Sequence, residues 1–188
     1  MNINTVMKKK LREILLKKRK ALGQAEVIQY SEKIFKKFQN EFYEIFHQKI
    51  KIIAGYMAVN NEVDTLPILR LLQNKKIKTV LPKIVGSELK FYEWHEGQTL
   101  ICNEFNIKEP VVEKEAYPDC LIVPLVGFDK YGNRLGYGFG YYDKALKKLP
   151  HTKKIGVGYS FQQVENIPCE VHDVKLDIIV TDKLVLQI

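Results

Sequence analysis

Residues that could bind a phosphate group are concentrated in one loop in the second half of the chain. Four glycines, Gly132, Gly136, Gly138 and Gly140, lie within nine residues of each other, so the backbone there can adopt positive φ and point its N–H groups at a ligand. Arg134, in the same loop, carries a planar guanidinium whose donors match phosphate oxygens. These residue types predict an anion-binding loop, and an ordinary glycine-rich surface turn is the alternative.

This loop connects a predicted strand to a predicted helix. Residues 121–126 form an unbroken apolar run typical of a buried strand, whereas Tyr142, Ala145 and Leu146 fall on one face of a helix over residues 141–149. The N-terminus of a helix carries about half a positive charge, which attracts the same anion. The glycine spacing matches neither a GxxxxGK[ST] phosphate loop nor a dinucleotide fingerprint.

Asp143 is an acid among groups that bind anions. A carboxylate at this point repels a phosphate unless a cation lies between them, and Mg²⁺ bridging Asp143 and a polyphosphate is one interpretation. The other is that Asp143 simply occupies the first turn of a helix, where the helix dipole favours a carboxylate. Both interpretations remain open at this point.

Size and composition predict one soluble, cytoplasmic domain over residues 1–188. A chain of 188 residues can bury about 70% of its unfolded surface without covalent links. Cys102, Cys120 and Cys169 are odd in number, widely spaced and without a CxxC motif, which indicates reduced thiols in the cytoplasm. Neither a signal peptide nor a run long enough to span a membrane is present. No HExxH or GxSxG motif offers a hydrolytic centre.

The formal net charge of +8 indicates a polyanionic partner, which is a nucleic acid, a nucleotide or a polyglutamylated cofactor. Much of this charge lies in an amphipathic helix predicted over residues 6–22. Its basic residues, most of them assigned to a solvated face, are Lys8, Lys9, Lys10, Arg12, Lys17, Lys18, Arg19 and Lys20. No zinc finger, RNP or helix-turn-helix signature accompanies them, which argues against nucleic acid.

Strands and helices alternate along most of the chain. After the first helix, which Gly23 ends, a second helix is predicted over residues 25–46, while residues 100–117 look irregular. Further strands are predicted at 51–58, 77–81, 89–94, 154–159 and 178–180, and a further helix at 65–74. This order predicts an α/β fold, a single three-layer domain with a mostly parallel sheet covered by helices on both faces. Ligands then bind beyond the carboxyl ends of the strands.

Residues 127–143, GFDKYGNRLGYGFGYYD, resemble the signature of the 5-formyltetrahydrofolate cyclo-ligase family, also called methenyltetrahydrofolate synthetases. Three shorter segments are similar to further elements of that family: Lys8-x-x-Leu11-Arg12 to its KxxLR element, residues 61–65 to its E-x-[DE]-T element, and residues 172–182 to its closing HDxxxD-strand-T element. The resemblance implies ATP-dependent conversion of 5-formyltetrahydrofolate, with or without a polyglutamate tail, to 5,10-methenyltetrahydrofolate. It also implies Mg²⁺ as cofactor and no nucleic-acid partner, and we expect a monomer.

The same resemblance implies roles for individual residues. The ATP-binding residues would be Lys8, Arg12, Arg134, Leu135, Gly136, Tyr137, Gly138, Phe139, Gly140, Tyr141 and Tyr142. The folate-binding residues would be Met57, Glu62, Tyr137, Gly138, Phe139, Gly140 and Tyr141. Arg134 and Tyr142 would be catalytic, and Asp143 and Asp177 would bind Mg²⁺. Some family members have basic residues where this chain has Tyr137 and Phe139.

Several of these residues have a second interpretation. Without the resemblance, Glu62 is an exposed glutamate in a turn and Asp177 is an acid that caps a strand. Trp94 either stacks on the pterin or fills the core, and His172 is a structural hydrogen-bond partner. Two rival functions also follow from the sequence: an RNA-binding module that uses the basic first helix, and a different small-molecule kinase or ligase on the same scaffold.

Overall fold

The structure is a computed structural model that describes residues 3–42, 50–111, 114–170 and 173–188. Its helices are α1 (Ile3–Lys20), α2 (Gln24–Lys37), α3 (Leu66–Asn74) and α4 (Tyr141–Lys148). Its strands are β1 (Ile52–Ala54), β2 (Lys78–Val85), β3 (Glu88–Glu93), β4 (Leu100–Cys102), β5 (Lys108–Pro110), β6 (Cys120–Pro124), β7 (Gly127–Phe128), β8 (Arg134–Leu135), β9 (Lys153–Val157), β10 (Ile178–Val180) and β11 (Val185–Gln187). A π-helical turn, Phe38–Phe42, continues α2, and a 3-10 turn spans Ser160–Gln162.

A seven-stranded sheet with the order β11-β10-β9-β6-β1-β2-β3 forms the centre of the molecule. The pairs from β10 to β2 are parallel, while β11 and β3 join the two edges antiparallel. β4 and β5 pair with each other, as do β7 and β8. The prediction of a mostly parallel sheet is therefore confirmed.

Alternate side chains of the central strands pack against helices on opposite faces, as the two-residue period of a strand requires. On one face Ile53 and Ile122 pack in a cluster with Ile34 of α2 and Leu72 of α3. On the other face, Ala54, Leu121 and Val123 pack in a cluster with Ala145 and Leu146 of α4. The central strands β1 and β6 are uninterrupted apolar runs because both faces of each strand are buried. The three-layer arrangement is confirmed.

α1 lies at the rim of the sheet. Leu15 packs in a small cluster with Val126, Leu135 and Ile167, and a Cβ added to Gly127 would lie 2.6 Å from the Leu15 side chain. This packing fixes one face of α1 against the β7–β8 hairpin, and so places the basic residues of that face beside the glycine-rich loop.

β1 is shorter than the strand predicted over residues 51–58. Beyond Ala54 the backbone at Tyr56 bonds to a side chain instead of a neighbouring strand: its carbonyl accepts a hydrogen bond from the Thr65 hydroxyl at 2.7 Å. Thr65 also precedes α3 as its N-cap residue. The loop after β1 is thus tied to the start of α3, which the alternation of apolar residues did not reveal.

Three further predictions concern the second helix, the segment before β6 and His172. The second helix was predicted to end at residue 46, but α2 ends at Lys37 and is followed by the π-helical turn. Residues 43–46 lie outside the described residues. The predicted irregular segment of residues 100–117 contains the β4–β5 hairpin. His172 also lies outside the described residues. Among the helices that the structure describes, none combines the length and apolar character needed to span a membrane.

Candidate active site at the carboxyl ends of the strands

A cavity of about 790 Å³ opens beyond the carboxyl ends of β1 and β6. Its wall is built from α1, the loop after β1, the β4–β5 hairpin, the glycine-rich loop after β8 and the first turn of α4. The predicted site residues that line it are Lys8, Arg12, Met57, Glu62, Arg134, Leu135, Gly136, Tyr137, Gly138, Phe139, Gly140, Tyr141, Tyr142 and Asp143. Asp177 is the predicted residue that does not.

The buried carboxylate of Asp129 organises the turn between β7 and β8. Its Oδ1 accepts the N–H groups of Tyr131 and Asn133 at 2.9 and 3.1 Å, and its Oδ2 accepts the Asn133 amide at 2.8 Å. Gly132 has φ +83°, and a Cβ there would lie 2.9 Å from the Leu176 carbonyl. This turn holds Arg134 at a fixed place on the cavity wall.

Arg12 binds the glycine-rich loop directly. Its Nε donates to the Gly136 carbonyl at 2.7 Å, and its guanidinium lies against Gly138, where a Cβ would come within 3.3 Å of Cζ. Gly138 and Gly140 have φ of +104° and +73°, which favour glycine, and Gly140 is the N-cap residue of α4. The cation, the loop and the positive end of α4 therefore face one part of the cavity.

Arg134 and Asp143 form an ion pair at the cavity wall. Nη2 of Arg134 lies 2.6 Å from Oδ1 of Asp143, and Nη1 donates to the Val174 carbonyl at 2.9 Å. Arg134 is 5% exposed and Asp143 26% exposed, so the carboxylate is the more accessible partner. Asp143 lies in the first turn of α4, and the helix-dipole interpretation therefore fits alongside a ligand role.

Asp177 lies at the amino end of β10, away from the edge at which the cavity opens. Its Oδ2 accepts the Lys154 N–H at 2.7 Å and lies 3.2 Å from Lys154 Nζ. Because β9 and β10 are parallel, their amino ends lie at the opposite edge from their carboxyl ends. The expected Mg²⁺ site shared by Asp143 and Asp177 is not formed, and the strand-capping interpretation describes Asp177.

A metal ion at this site would have to be held by few protein groups. Within the described ranges, no three His, Cys, Asp or Glu side chains are gathered closely enough to hold one. Mg²⁺ commonly uses one or two carboxylates together with substrate phosphates and water. The partly exposed carboxylate of Asp143 beside an anion-binding loop fits that pattern.

Lys8 is paired with an acid from the segment before β10. Its Nζ lies 2.6 Å from Oδ2 of Asp173, which also accepts the Glu170 N–H at 2.9 Å. Both partners line the cavity, and Lys8 is 14% exposed. Lys8 therefore reaches the cavity mouth from α1 one turn before Arg12.

Glu62 is buried at the back of the cavity, so the alternative of an exposed turn glutamate is wrong. The side chain is 4% exposed, and Oε2 accepts the Val59 N–H at 3.1 Å. Burial raises the pKa of Glu62, and the charge of Arg19, the Val59 N–H and a hydrogen bond with Tyr137 oppose that rise. A desolvated carboxylate with a nearby cation suits recognition of a flat ligand that donates two hydrogen bonds.

Arg19 is the residue that the sequence interpretation missed. It is 1% exposed, although it was grouped with the solvated basic face of α1. The helical spacing held a signal, because Arg12, Leu15 and Arg19 recur at intervals of three and four and so share one face. An arginine in line with a buried leucine, on the face of the helix that packs against the protein, is a candidate for burial.

Three tyrosines beside the cavity have phenols that stay protonated at neutral pH. Burial, and second the charge of Glu62, raise the pKa of Tyr56, Tyr137 and Tyr142. Each can therefore donate a hydrogen bond but cannot act as a base near neutral pH. Tyr142 is partly buried against the α4 side of the core.

The β4–β5 hairpin contributes Phe105, which the sequence interpretation did not assign, to an aromatic wall shared with the predicted residues Phe139 and Tyr141. The rings of Phe105 and Phe139 lie 5.2 Å apart, and Phe139 lies 6.3 Å from Tyr141. Trp94, in contrast, is buried in a cluster with Leu69 and Leu81 and is absent from the cavity lining. Trp94 therefore fills the core.

Comparison with known proteins assigns the chain to one family. Residues 4–182 match the model of the 5-formyltetrahydrofolate cyclo-ligase family. A protein of Escherichia coli K12 named 5-formyltetrahydrofolate cyclo-ligase is 35% identical over 145 residues, which cover 72% of this chain and 80% of the relative. A Mycoplasma pneumoniae protein of the same name is 33% identical over 178 residues, which cover 94% of this chain and 99% of the relative.

Solved structures agree with this match. The 5,10-methenyltetrahydrofolate synthetase of Aquifex aeolicus superposes with a TM-score of 0.83 at 35% identity, over 96% of this chain and 92% of that one. The synthetase of Mycoplasma pneumoniae superposes with a TM-score of 0.78 at 32% identity, over 94% and 99%. The similarity therefore extends over nearly the whole chain.

Proposed function

The chain belongs to the 5-formyltetrahydrofolate cyclo-ligase family, and we propose that it converts 5-formyltetrahydrofolate to 5,10-methenyltetrahydrofolate, with ATP converted to ADP and phosphate. One observation carries the proposal. A single cavity brings the cations Arg12 and Arg134, the glycine-rich loop and the buried acid Glu62 together. The cations and the loop suit the triphosphate, and the acid suits the pterin ring.

The formyl group must be activated before the ring can close. Its carbon is a poor electrophile and its oxygen a poor leaving group. Transfer of the γ-phosphoryl group to the formyl oxygen releases ADP and forms an imidate-like phosphate ester. N10 then attacks the formyl carbon and loses its proton. Phosphate leaves with the former formyl oxygen, and the N5–CH–N10 bridge remains.

Phosphoryl transfer depends chiefly on alignment and on neutralisation of negative charge. Lys8, Arg12 and Arg134 line one cavity, and we assign them to the phosphates. The backbone from Gly136 to Gly140 would cradle the triphosphate at the start of α4. The pairs with Asp173 and Asp143 orient Lys8 and Arg134 before ATP binds.

Mg²⁺, when bound, would neutralise charge on the phosphates. Asp143 is the residue of this chain that would hold it, because its carboxylate is partly exposed at the cavity wall. Arg134 contacts Oδ1 of that carboxylate, which keeps the acid oriented toward the loop. Asp177 has no part in this assignment.

The folate would lie on the Glu62 side of the cavity. An ionised Glu62 accepts hydrogen bonds from a ring N–H and the adjacent amino group of the pterin. Met57 supplies an apolar surface for the ring, and Phe139 and Tyr141 extend that surface toward the mouth. Tyr142, protonated because burial raises its pKa, would donate a hydrogen bond to an oxygen of the reacting centre.

We propose that the protein acts as a monomer in the cytoplasm. The decisive experiment mixes the purified protein with 5-formyltetrahydrofolate and Mg·ATP and follows the ultraviolet absorbance of the methenyl product. We expect growth of that band with ATP and a flat trace without it. A flat trace in both, from protein that binds Mg·ATP, would contradict the proposal and favour a different small-molecule kinase.

A further inference from the structure

Arg19 is buried behind the cavity wall and joins three segments that build the site. Its Nε donates to the Asn60 carbonyl at 3.0 Å, and its Nη1 donates to the Leu125 carbonyl at 3.0 Å. Its Nη2 donates to the hydroxyl of Tyr137. One guanidinium thus links the loop after β1, the end of β6 and the glycine-rich loop to α1.

The turn before Glu62 depends on these contacts. Asn60 and Asn61 have φ of 51° and 58°, so two consecutive residues with side chains adopt the left-handed conformation. Such residues cost energy and persist where the surroundings hold them. The Asn61 amide donates to the carbonyls of Arg19 and Leu22 at 3.2 and 3.1 Å. The end of α1 therefore holds this turn in two ways: the Arg19 side chain donates to the turn, and the carbonyls of Arg19 and Leu22 accept from it.

Arg19 also supplies the counter-charge of Glu62. Its Nη2 lies 3.7 Å from Oε1 of Glu62, and the two side chains are 1% and 4% exposed. An uncompensated buried carboxylate is strongly unfavourable. A cation this close therefore allows Glu62 to be both buried and ionised.

We propose that Arg19 is a positioning residue for the folate-binding side of the cavity, which fixes the Glu62 turn against Tyr137 and supplies the counter-charge of the Glu62 carboxylate. The proposal rests on the proposed function, in which Glu62 binds the pterin. Arg19 is absent from the cavity lining, so it acts through the residues that it holds.

The groups that face Glu62 set the direction of the expected pH effect. They are Arg19 from α1, Tyr56 after β1, Tyr137 from the glycine-rich loop, Tyr142 from α4 and Tyr159 after β9. The four tyrosines are neutral near pH 7, whereas the charge of Arg19 lowers the pKa of Glu62 against the effect of burial. Removing that charge raises the pKa further.

The test compares Arg19→Met with Lys18→Met, which removes an exposed cation from the same helix. For Arg19→Met we expect the KM for 5-formyltetrahydrofolate to rise about tenfold or more, with a smaller change in the KM for ATP. Glu62 accepts both hydrogen bonds from the pterin only when it is ionised, so kcat/KM falls as the pH drops through the pKa of Glu62. This fall is the acid limb of the pH profile. This acid limb should move to higher pH in Arg19→Met and stay in place in Lys18→Met.

A purely structural role gives a different pattern. Partial unfolding would lower the amount of active enzyme, and so kcat, with KM and the acid limb unchanged. Arg19→Lys keeps a charge without the planar fork, so it should restore the position of the acid limb more fully than the KM. This variant also serves if Arg19→Met does not fold. Wild-type KM and an unmoved limb in the folded variants would overturn the proposal.

Failure of the proposed function would be visible separately. If wild-type protein forms no methenyl product, the Arg19–Glu62 link can still be measured without substrate, by carbon-13 NMR titration of the Glu62 carboxyl group. We expect its pKa to be higher in Arg19→Met than in the wild type. An equal pKa in the two proteins would overturn the link regardless of turnover.

Discussion

At the scale of single residues, three cations of the cavity wall are each paired with a group that orients them. Lys8 contacts Asp173, Arg12 the Gly136 carbonyl, and Arg134 both Asp143 and the Val174 carbonyl. Long cationic side chains lose rotamer freedom when they bind a ligand. Pairing in the resting protein reduces that loss, because the charges are already held in place.

Arg134 is the cation with the most constrained geometry. We expect Arg134→Ala to lower kcat more than tenfold, a transition-state cost above about 1.4 kcal/mol, since the guanidinium that we assign to the phosphates is lost. Initial rates of methenyl formation measure this. Lys130→Ala, which removes an exposed cation from the β7–β8 turn, should retain the wild-type rate. A wild-type rate in Arg134→Ala would remove that residue from the mechanism.

Asp143 and Asp177 provide a matched pair for the metal assignment. Asp143→Asn should weaken the dependence of the rate on Mg²⁺, because an amide is a poorer ligand than a carboxylate. Asp177→Asn should leave the Mg²⁺ titration of the folded enzyme unchanged, since Asp177 contacts Lys154 at the other edge of the sheet. The assignment fails if both variants titrate like the wild type.

At the scale of elements, the glycine-rich loop is shaped by α1 as well as by its own sequence. Gly138 lies against the Arg12 guanidinium at φ +104°. Gly86, in the β2–β3 turn, also has positive φ (+62°), but a Cβ there would meet nothing within 4 Å. The two positions share a backbone constraint and differ in their surroundings.

Gly138→Ala should therefore lose affinity for Mg·ATP, whereas Gly86→Ala should keep it. Both substitutions force a side chain into a positive-φ conformation at a cost of about 1–2 kcal/mol, so the melting temperature of each variant should fall. In Gly138→Ala the new methyl group also displaces Arg12 or the loop. Calorimetric titration with Mg·ATP measures the difference, and equal affinities in the two variants would contradict this account of the loop.

Much of this arrangement could be predicted from the sequence, and the failures have physical causes. Strand β6 was visible as an unbroken apolar run because both of its faces are buried, and helix α4 was visible as an amphipathic pattern because one of its faces is buried. The spacing of Arg19 from Leu15 held a signal for its burial, but its partners Asn60, Leu125 and Tyr137 could not be predicted, because they come from segments far apart in the chain. The spacing of apolar residues along a helix predicts which face is buried, but it does not predict which partners a buried cation will contact.

The misplacement of Asp177 has a related cause. The order of strands along the chain placed an acid beside β10, and the family resemblance linked it to the metal. An acid at the end of a strand can reach a metal in the cavity only from the carboxyl end, because the carboxyl ends of the parallel strands face the cavity. Asp177 precedes Ile178, the first residue of β10, so its carboxylate belongs to the amino edge.

At the scale of the whole molecule, the positive charge is divided between two tasks. Lys8, Arg12 and Arg19 of α1 turn toward the cavity wall, while the remaining cations of this helix stay exposed. Inward cations cannot track the backbone of a nucleic acid. The exposed ones still favour approach of the anionic substrates, so the net charge of +8 suits a small polyanion without requiring RNA.

The cavity joins elements that are distant in the chain, so a ligand that fills it should stabilise the whole fold. At 100 times its Kd, a ligand adds about 2.7 kcal/mol to the free energy of unfolding. For a protein of this size that corresponds to a rise in melting temperature of roughly 5–10 °C. We expect this rise with Mg·ATP and with 5-formyltetrahydrofolate. A single-stranded RNA oligonucleotide should give a small shift that vanishes as salt is raised, because its contacts would be to exposed lysines. A large salt-resistant shift with RNA and none with Mg·ATP would favour the RNA-binding alternative.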